Sequence, residues 1–295
     1  MIARLKGWWS ARLAPTLPAR VVARYGRQSM GDRAAALTYY AMLSLFPALL
    51  FAVSLAGLLG GAGLIDRAVQ TAESAGLDAQ AQAVVQDAVA TTLERSGGTL
   101  GTTLVVGLLL ALNGASGVIN AAGRALDVVF GAREGDRRGF AAQRGRAIAL
   151  TSALAVLALV ELAATLLGGD LAHDAFDEVG LGSAAAGAWS IARWPLALAA
   201  AALAVTLVFR FAPSAEVARV RVLTPGAVTV VLLWVVLTAA FTFYLRHFGD
   251  LGAVYGAFAG AVVLLLWLNL MATAFLLGAE VDAELEGAGA DSAGG

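Results

Sequence analysis

Six long apolar runs constrain the fold of this 295-residue chain more than any other feature of its sequence. Each run is long enough to cross about 30 Å of hydrocarbon as an α-helix, whereas a soluble core does not need runs of this length. The predicted spans are Ala34–Gly60, Thr99–Asn120, Ala147–Gly168, Ile191–Ala212, Gly226–Phe248 and Ala253–Gly278. We therefore predict an all-α, polytopic membrane protein with six transmembrane helices.

The composition agrees with a chain that is solvated largely by lipid. Hydrophobic residues make up 59% of the sequence and charged residues only 14%, against about 25% charged residues in a soluble domain. The net charge of -1 gives no overall basicity, so we expect membrane lipids as partners and no nucleic acid. The chain contains no cysteine, which excludes disulfides, thiolate metal sites and cysteine nucleophiles.

The distribution of basic residues predicts the orientation in the membrane. Seven lie before the end of residue 33, six between residues 121 and 146, and three between residues 210 and 225, so these segments hold 16 of the 20. Basic residues are retained on the cytoplasmic side of bacterial membranes. We therefore expect a multi-pass protein with both termini in the cytoplasm.

Outside the spans, the sequence predicts three further segments. Residues 1–33 form a basic segment that we interpret as an interfacial helix on the inner surface, interrupted at Pro15 and Pro18; a disordered basic tail is the alternative. The six-helix domain occupies residues 34–280, and residues 281–295 form an acidic tail that we predict to be disordered. The first outside loop, 61–98, is polar but has helical periodicity, which predicts an amphipathic helical hairpin.

The second span carries a polar stripe. Asn113, Asn120, Arg124 and Asp127 lie within about 60° of one another on a helix of 3.6 residues per turn, and Ser116 adjoins them. An asparagine at membrane depth requires a partner or a water-filled cavity. This face is therefore a candidate pathway toward the cytoplasm. Two alternatives stay open, because the charged pair could lie among the head groups and Asn113 could bond one neighbouring helix.

The first span carries a second stripe on one face, made of Tyr40, Ser44, Pro47, Phe51 and Ser54. Pro47 removes one backbone hydrogen bond and predicts a kink. Broken helices with polar residues line many transport sites. A structural kink alone explains the pattern equally well.

Glu161 lies inside the third span, where an unpaired charge costs about 2.5–3.5 kcal/mol on insertion scales. We expect it to be protonated or paired with a basic group such as Arg193, and propose a proton-coupling or substrate role. Snorkelling or a simple interhelical hydrogen bond is the alternative. Asn269 of the last span shares a face with Tyr255 and Glu280 and is a further candidate.

Three glycines of the last span have four-residue spacing, which allows a neighbouring helix to approach closely. Gly252, Gly256 and Gly260 therefore form a possible homo-oligomer face, and packing within one chain is the alternative. The two histidines, His173 and His247, have no metal-ligand spacing around them. No cofactor, metal site or catalytic residue is predicted, and the chain is not expected to be an enzyme.

Several motifs resemble one known family in order and content across about residues 30–285. They are Asp32-Arg33-Ala34-Ala35-Ala36-Leu37-Thr38-Tyr39-Tyr40, Ser44-Leu45-Phe46-Pro47, Phe209-Arg210-Phe211-Ala212-Pro213, Pro225-Gly226-Ala227, Trp234, Tyr255-Gly256, Leu266-Trp267-Leu268 and Gly278-Ala279-Glu280. The chain thus resembles the YihY/BrkB family of bacterial inner-membrane proteins. The resemblance implies a six-helix inner-membrane fold, and members have carried ribonuclease, serum-resistance and export labels.

The sequence leaves three functional hypotheses. The first is a transporter or exporter of lipid or anionic solute, in which Arg124 or Arg210 attracts an anionic head group. The second is a non-transporting scaffold for envelope assembly or integrity. The third, an intramembrane hydrolase, would require a nucleophile such as Ser44 or Ser116 beside a base that the sequence does not place. A nuclease would need carboxylates that gather a metal, or an acid–base pair, and neither is visible.

Overall fold

The computed structural model describes residues 16–45, 100–132, 139–166, 182–214, 223–248 and 257–293, and their regular structure is entirely helical. The all-α prediction is confirmed for this part of the chain. The helices are α1 (Leu17–Arg27), α2 (residues 30–45), α3 (Leu100–Val129), α4 (Phe140–Leu166), α5 (Gly182–Phe211), α6 (Pro225–Phe248) and α7 (Ala257–Ala293).

Four segments of the described helices are long and apolar enough to cross a membrane. They are Val105–Val129, Gly187–Phe211, Pro225–Tyr244 and Gly260–Glu286. Large apolar side chains such as Leu109, Leu232 and Val262 are each 61% exposed on these helices. This pattern suits helices that are solvated by lipid, where the backbone must bond within the helix.

The remaining two predicted spans and the hairpin are not tested in full. The first predicted span continues past residue 45, and the loop 61–98 lies wholly outside the described residues. The third predicted span coincides with α4, which is helical but is not among the four segments.

The chain divides into two compact units, Met1–Thr38 with Ile119–Gly295, and Tyr39–Val118. In the second unit, α2 packs closely against α3 at two glycines. A Cβ on Gly114 would lie 3.1 Å from Ser44 Cα and Cβ, and one on Gly117 would lie 3.4 Å from Tyr40 Cδ1. Small residues therefore set the helix separation here, as is common between membrane helices.

The first unit has an aromatic centre. Phe209 of α5 is 2% exposed, and its ring centroid lies 5.1 Å from that of Phe275 and 6.5 Å from that of Phe130. These separations and tilted geometries are favourable for aromatic pairs. Leu126 and Leu276 are fully buried in the same unit. The ends of α3 and α5 and the middle of α7 therefore share one core.

Helices α6 and α7 make the closest approach in this unit. A Cβ on Gly278 would overlap Val230 Cγ2 and the carbonyl of Gly226, so only glycine fits. Trp234 Nε1 donates to the Met271 carbonyl at 3.0 Å, which holds the same pair of helices farther along. The start of α6 is capped by Thr224, whose Oγ1 accepts from Ala227 N at 3.1 Å.

Two predictions about the chain ends differ from the structure. The tail after residue 280 is helical to Ala293 rather than disordered, and its first residues pack in the core, where Asp282 and Ala283 are 6% and 8% exposed. Pro18 does not break the basic helix but lies in its first turn, after the N-cap residue Thr16. Proline loses no hydrogen bond at that position. Pro15 lies outside the described residues.

Candidate functional site

One end of the first unit collects arginines from four helices, and we call it the arginine-rich end. Its members are Arg24 of α1, Arg124 of α3, Arg146 of α4 and Arg210 of α5. The contacts below join α1 to α3 and to residues 280–284 of α7, and join α3 to the first turns of α4 and the end of α5. This end contains the two groups of polar side chains that could act on a ligand.

The first group is an ion-pair cluster between α1 and α7. Arg20 Nε lies 2.7 Å from Glu284 Oε1, and Arg24 Nη1 lies 3.6 Å from Glu284 Oε2. Arg24 Nε lies 2.9 Å from Glu280 Oε2, and Glu280 is fully buried. The cluster contains two guanidinium and two carboxylate groups, so its positive and negative groups are equal in number. This equality favours a structural role for the cluster.

Gln28 completes this cluster. With its amide oriented to suit its neighbours, it donates to Glu280 Oε1 at 2.9 Å and accepts from Arg24 Nε at 3.1 Å. Glu280 Oε2 itself receives no hydrogen bond from the described residues, so its contact with Arg24 is electrostatic. A buried carboxylate of this kind needs both the charge and the amide to offset its desolvation.

Arg24 also bonds the end of α3. Its Nη2 donates to the Val129 carbonyl at 2.5 Å. Helix α3 ends in a Schellman motif, in which Gly131 with φ 70° bonds the Val128 carbonyl and Ala132 bonds the Asp127 carbonyl. Within the described backbone, no N–H donates to the Val129 carbonyl. Arg24 supplies the missing donor and ties α1, α3 and α7 together.

The second group lines a cleft between α3, α4 and the end of α5. Its lining residues are Ile119, Asn120, Gln143, Arg146, Ala147, Phe211, Ala212 and Ser214. Two contacts pack the residues after α5 against α3 at one side of the cleft. Asp127 Oδ1 accepts from Ser214 N at 2.5 Å, and a Cβ on Gly123 would lie only 2.6 Å from the Ala212 carbonyl oxygen. The chain after α5 is thereby fixed against α3.

Two described arginines lie at the Phe211 ring on one side of the cleft. Arg146 Cζ lies 5.6 Å from the centroid of the Phe211 ring, and Arg210 Cζ lies 5.4 Å from the same centroid. Both distances fall in the range of cation–π contact. Neither arginine forms an ion pair with a described residue. A site with this charge suits an anion.

The polar stripe predicted on the second span does not form one surface. Asn120 is half-buried in the cleft, whereas Arg124 and Asn113 are exposed. Asp127 is a structural acceptor for Ser214. Ser116 is fully buried and donates to its own helix, at the Asn113 carbonyl 2.8 Å away. Of the five predicted pathway residues on this helix, only Asn120 lies in the cleft.

The other predicted candidates have separate locations. Ser44 Oγ donates to the Ala41 carbonyl at 2.8 Å, and Tyr40 is half-buried beside Gly117. Asn269 Nδ2 lies 3.4 Å from Thr38 Oγ1, a long hydrogen bond. Glu161 is part of helix α4. Its side chain lies outside the described part of the structure, as does Pro47.

Gly260 is exposed, and nothing within the described chain comes within 4 Å of a Cβ built on it. Its partners in the predicted ridge, Gly252 and Gly256, lie outside the described residues, as does His173. The proposed homo-oligomer face therefore stays a prediction.

Sequence reasoning missed the charged cluster and most of the cleft. Arg20 and Arg24 are four residues apart on one helix, and Glu280 and Glu284 are four apart on another. This matched spacing was a usable signal for a helix pair. Gln143, Arg146 and Ser214 had no such signal, because their convergence depends on tertiary structure.

The described helices and their apolar surfaces define a membrane protein. The chain belongs to the family described as virulence factor BrkB, whose model matches residues 21–294. The resemblance to the YihY/BrkB family is thereby confirmed.

Individual relatives agree with this assignment. A Bacillus subtilis protein that bears the name ribonuclease-like protein YfkH is 28% identical over 268 residues, covering 89% of this chain and 92% of the relative. A UPF0761 membrane protein of Xanthomonas axonopodis is 36% identical over 89 residues, covering 30% of this chain and 21% of the relative. A UPF0761 membrane protein of Tolumonas auensis is 42% identical over 60 residues, covering 20% of each. No solved structure matches.

Proposed function

We propose that this protein moves an anionic solute or an anionic lipid head group across the bacterial inner membrane. The observation that supports the proposal is the polar-lined cleft beside Arg146 in a domain with long apolar helices. Polar and charged groups in a membrane domain are costly, and they often mark a substrate path. The activity is binding and movement, not catalysis.

The orientation of the protein is part of the proposal. Both termini lie in the cytoplasm, so the arginine-rich end faces the cytoplasmic leaflet, where basic residues are retained. The cleft then opens where a cytoplasmic anion or an inner-leaflet head group would enter, and the local positive charge raises its concentration. Substrate would move from the cytoplasm toward the periplasm.

A flux assay tests the proposal. Purified protein is reconstituted in liposomes, and two readouts are followed, release of an encapsulated organic anion and movement of a fluorescent anionic lipid between leaflets. Wild-type protein should increase at least one flux over empty liposomes, and Asn120→Leu, which removes a polar group from the cleft, should reduce it. Equal flux in empty and protein-containing liposomes for both readouts would contradict the proposal.

A second function, a membrane scaffold, is favoured by one observation. Val262, Leu265 and Leu266 are exposed and lie within about 100° of one another on a helix of 3.6 residues per turn, which gives α7 an apolar face to which another membrane helix could pack. A scaffold would lose activity when this face or residues 61–98 are altered and would tolerate Asn120→Leu. A cell-based assay of envelope integrity with these variants separates the two functions.

A further inference from the structure

We propose that the cleft between α3, α4 and the end of α5 is a binding site for a phosphate group, with Arg146 as its principal ligand. The inference rests on the proposed function, because it names the class of anion that this site would receive. It concerns binding alone, so it can be tested without any measurement of transport.

The first observation is that several unpaired polar groups converge. The side-chain amides of Asn120 and Gln143, the guanidinium of Arg146 and the hydroxyl of Ser214 all belong to side chains that line the cleft. None of the four side chains hydrogen-bonds to a described residue. None of their polar atoms is sealed from solvent without a partner, so water can bond them in the open cleft and a ligand can replace that water. A ligand that accepts several hydrogen bonds would satisfy them together.

The second observation is the distribution of charge. Arg146 and Arg210 both lie within 5.6 Å of the Phe211 ring centroid, so two like charges are held to one aromatic side chain. Asp127 is a described carboxylate beside Ser214, and its Oδ1 already accepts from the Ser214 backbone N–H. Among the described residues, the charged side chain that lines the cleft is Arg146 and a second arginine lies at Phe211, so an anion would offset positive charge there.

The donor set suits phosphate better than a carboxylate. A carboxylate has two oxygens, which a single guanidinium can occupy in a bidentate pair. A phosphate monoester presents three terminal oxygens and carries more negative charge than a carboxylate. It can therefore accept from Arg146 and also from the amides of Asn120 and Gln143. The guanidinium of Arg210, which also contacts the Phe211 ring, would add a second positive charge that attracts the phosphate.

The remaining wall of the cleft is apolar. Ile119, Ala147 and Phe211 lie beside the polar groups, so the site can receive the phosphate of an amphiphile as well as that of a small soluble molecule. Both sources share the same chemistry at Arg146. They differ in whether an attached acyl chain adds affinity through contact with the apolar wall.

Direct binding to the detergent-purified full chain tests the inference. Calorimetric titrations use inorganic phosphate, glycerol 3-phosphate, dihexanoyl phosphatidic acid below its micellar concentration, and acetate and hexanoate as phosphate-free controls. The variants are Arg146→Gln and Arg146→Lys, and the control is Arg144→Gln, which removes the same charge from the same helix outside the cleft. The melting temperature of each variant establishes that it is folded.

We expect binding of at least one phosphate probe, a loss of about tenfold or more in Arg146→Gln, and less than twofold change in Arg144→Gln. Arg146→Lys should bind more weakly than wild type, because lysine lacks the planar fork. Equal binding of glycerol 3-phosphate and phosphatidic acid indicates a soluble source, and preference for phosphatidic acid indicates a lipid. Both outcomes support the site.

The inference is overturned if no phosphate probe binds, if acetate or hexanoate binds as well as the phosphate probes, or if Arg144→Gln and Arg146→Gln weaken binding equally. Flux without phosphate binding would refute the inference and leave the proposed transport standing. Phosphate binding that depends on Arg146, in a protein without flux, would refute transport and leave the site standing.

Discussion

Arg24 and Glu280 lie in contact although they belong to the first and last described helices of the chain. Arg24 Nε is 2.9 Å from Glu280 Oε2, and the Glu280 side chain is fully buried while that of Arg24 is 24% exposed. The same guanidinium bonds the Val129 carbonyl of α3. One arginine thus joins three helices, and the basic segment that suggested a membrane-surface helix pairs with the acidic end of α7.

Removal of the buried carboxylate should destabilise the protein far more than removal of its exposed neighbour. Glu280→Ala leaves the partly buried Arg24 without its partner, and we expect a loss on the order of 3 kcal/mol in the free energy of unfolding. Glu284→Ala breaks a more exposed pair and should cost less than about 1 kcal/mol. Denaturation in mixed micelles, followed by tryptophan fluorescence, measures both. Equal losses would contradict the structural role assigned to Glu280.

The crossing of α6 and α7 should not tolerate a methyl group. Gly278→Ala forces the Cβ into Val230 Cγ2 and the Gly226 carbonyl, and overpacking of this kind costs about 1–3 kcal/mol. Gly260→Ala on the same helix meets nothing within 4 Å and should be neutral or slightly stabilising, because alanine has the higher helix propensity. Melting temperatures of the two variants give the comparison. A more harmful Gly260→Ala would instead indicate that this face is buried in an oligomer.

The packing of the residues after α5 against α3 should depend on the acceptor at Asp127. Asp127→Ala leaves the Ser214 N–H without its partner and should cost about 1.5–3 kcal/mol. Asp127→Asn retains a side-chain oxygen that can accept from the same N–H, so it should lose less. Amide hydrogen exchange at residues 212–214, measured by mass spectrometry, should rise in Asp127→Ala above the level in Asp127→Asn. Unchanged exchange in both variants would show that Asp127 does not hold this segment.

The membrane orientation can be tested by labelling, because the chain has no cysteine of its own. Ser292→Cys lies near the end of α7 and Ser96→Cys in the predicted outside loop. We expect a membrane-impermeant maleimide to label Ser96→Cys in intact spheroplasts, and to label Ser292→Cys only after the membrane is permeabilised. The reverse pattern would place the arginine-rich end outside and contradict the proposed direction of entry.

The helical architecture was predictable from the sequence, whereas the site was predictable only in part. A long apolar run indicates a helix that is surrounded by lipid. Such runs predicted the helices that contain Asn120, Gly226 and Trp234 without any knowledge of tertiary contacts. Asn120 was identified because an amide is costly at membrane depth. Arg146 was interpreted as an orientation signal, since a charge at the end of a span has that simpler explanation.

The failures share one physical cause. The tail after residue 280 looks disordered in isolation, because its small and acidic residues cannot form a core alone. It is ordered by Gly226 N, which donates to Asp282 Oδ1 at 2.6 Å, and by the arginines of α1. Contacts between residues so far apart in sequence are hard to predict from the sequence. The matched four-residue spacing of Arg20 and Arg24 with that of Glu280 and Glu284 is a weak signal of such a contact.

One measurement tests most directly whether the cleft lies on the substrate path. Gln143→Cys places the only thiol of the chain in the cleft, and Gly145→Cys places it on the exposed side of the same helix, where nothing lies within 4 Å of a Cβ. Each variant is reconstituted in liposomes, and anion and lipid flux are measured before and after a bulky methanethiosulfonate reagent, then after reduction. We predict that the reagent blocks flux in Gln143→Cys reversibly and leaves Gly145→Cys unchanged. Full labelling of Gln143→Cys with undiminished flux would contradict the account.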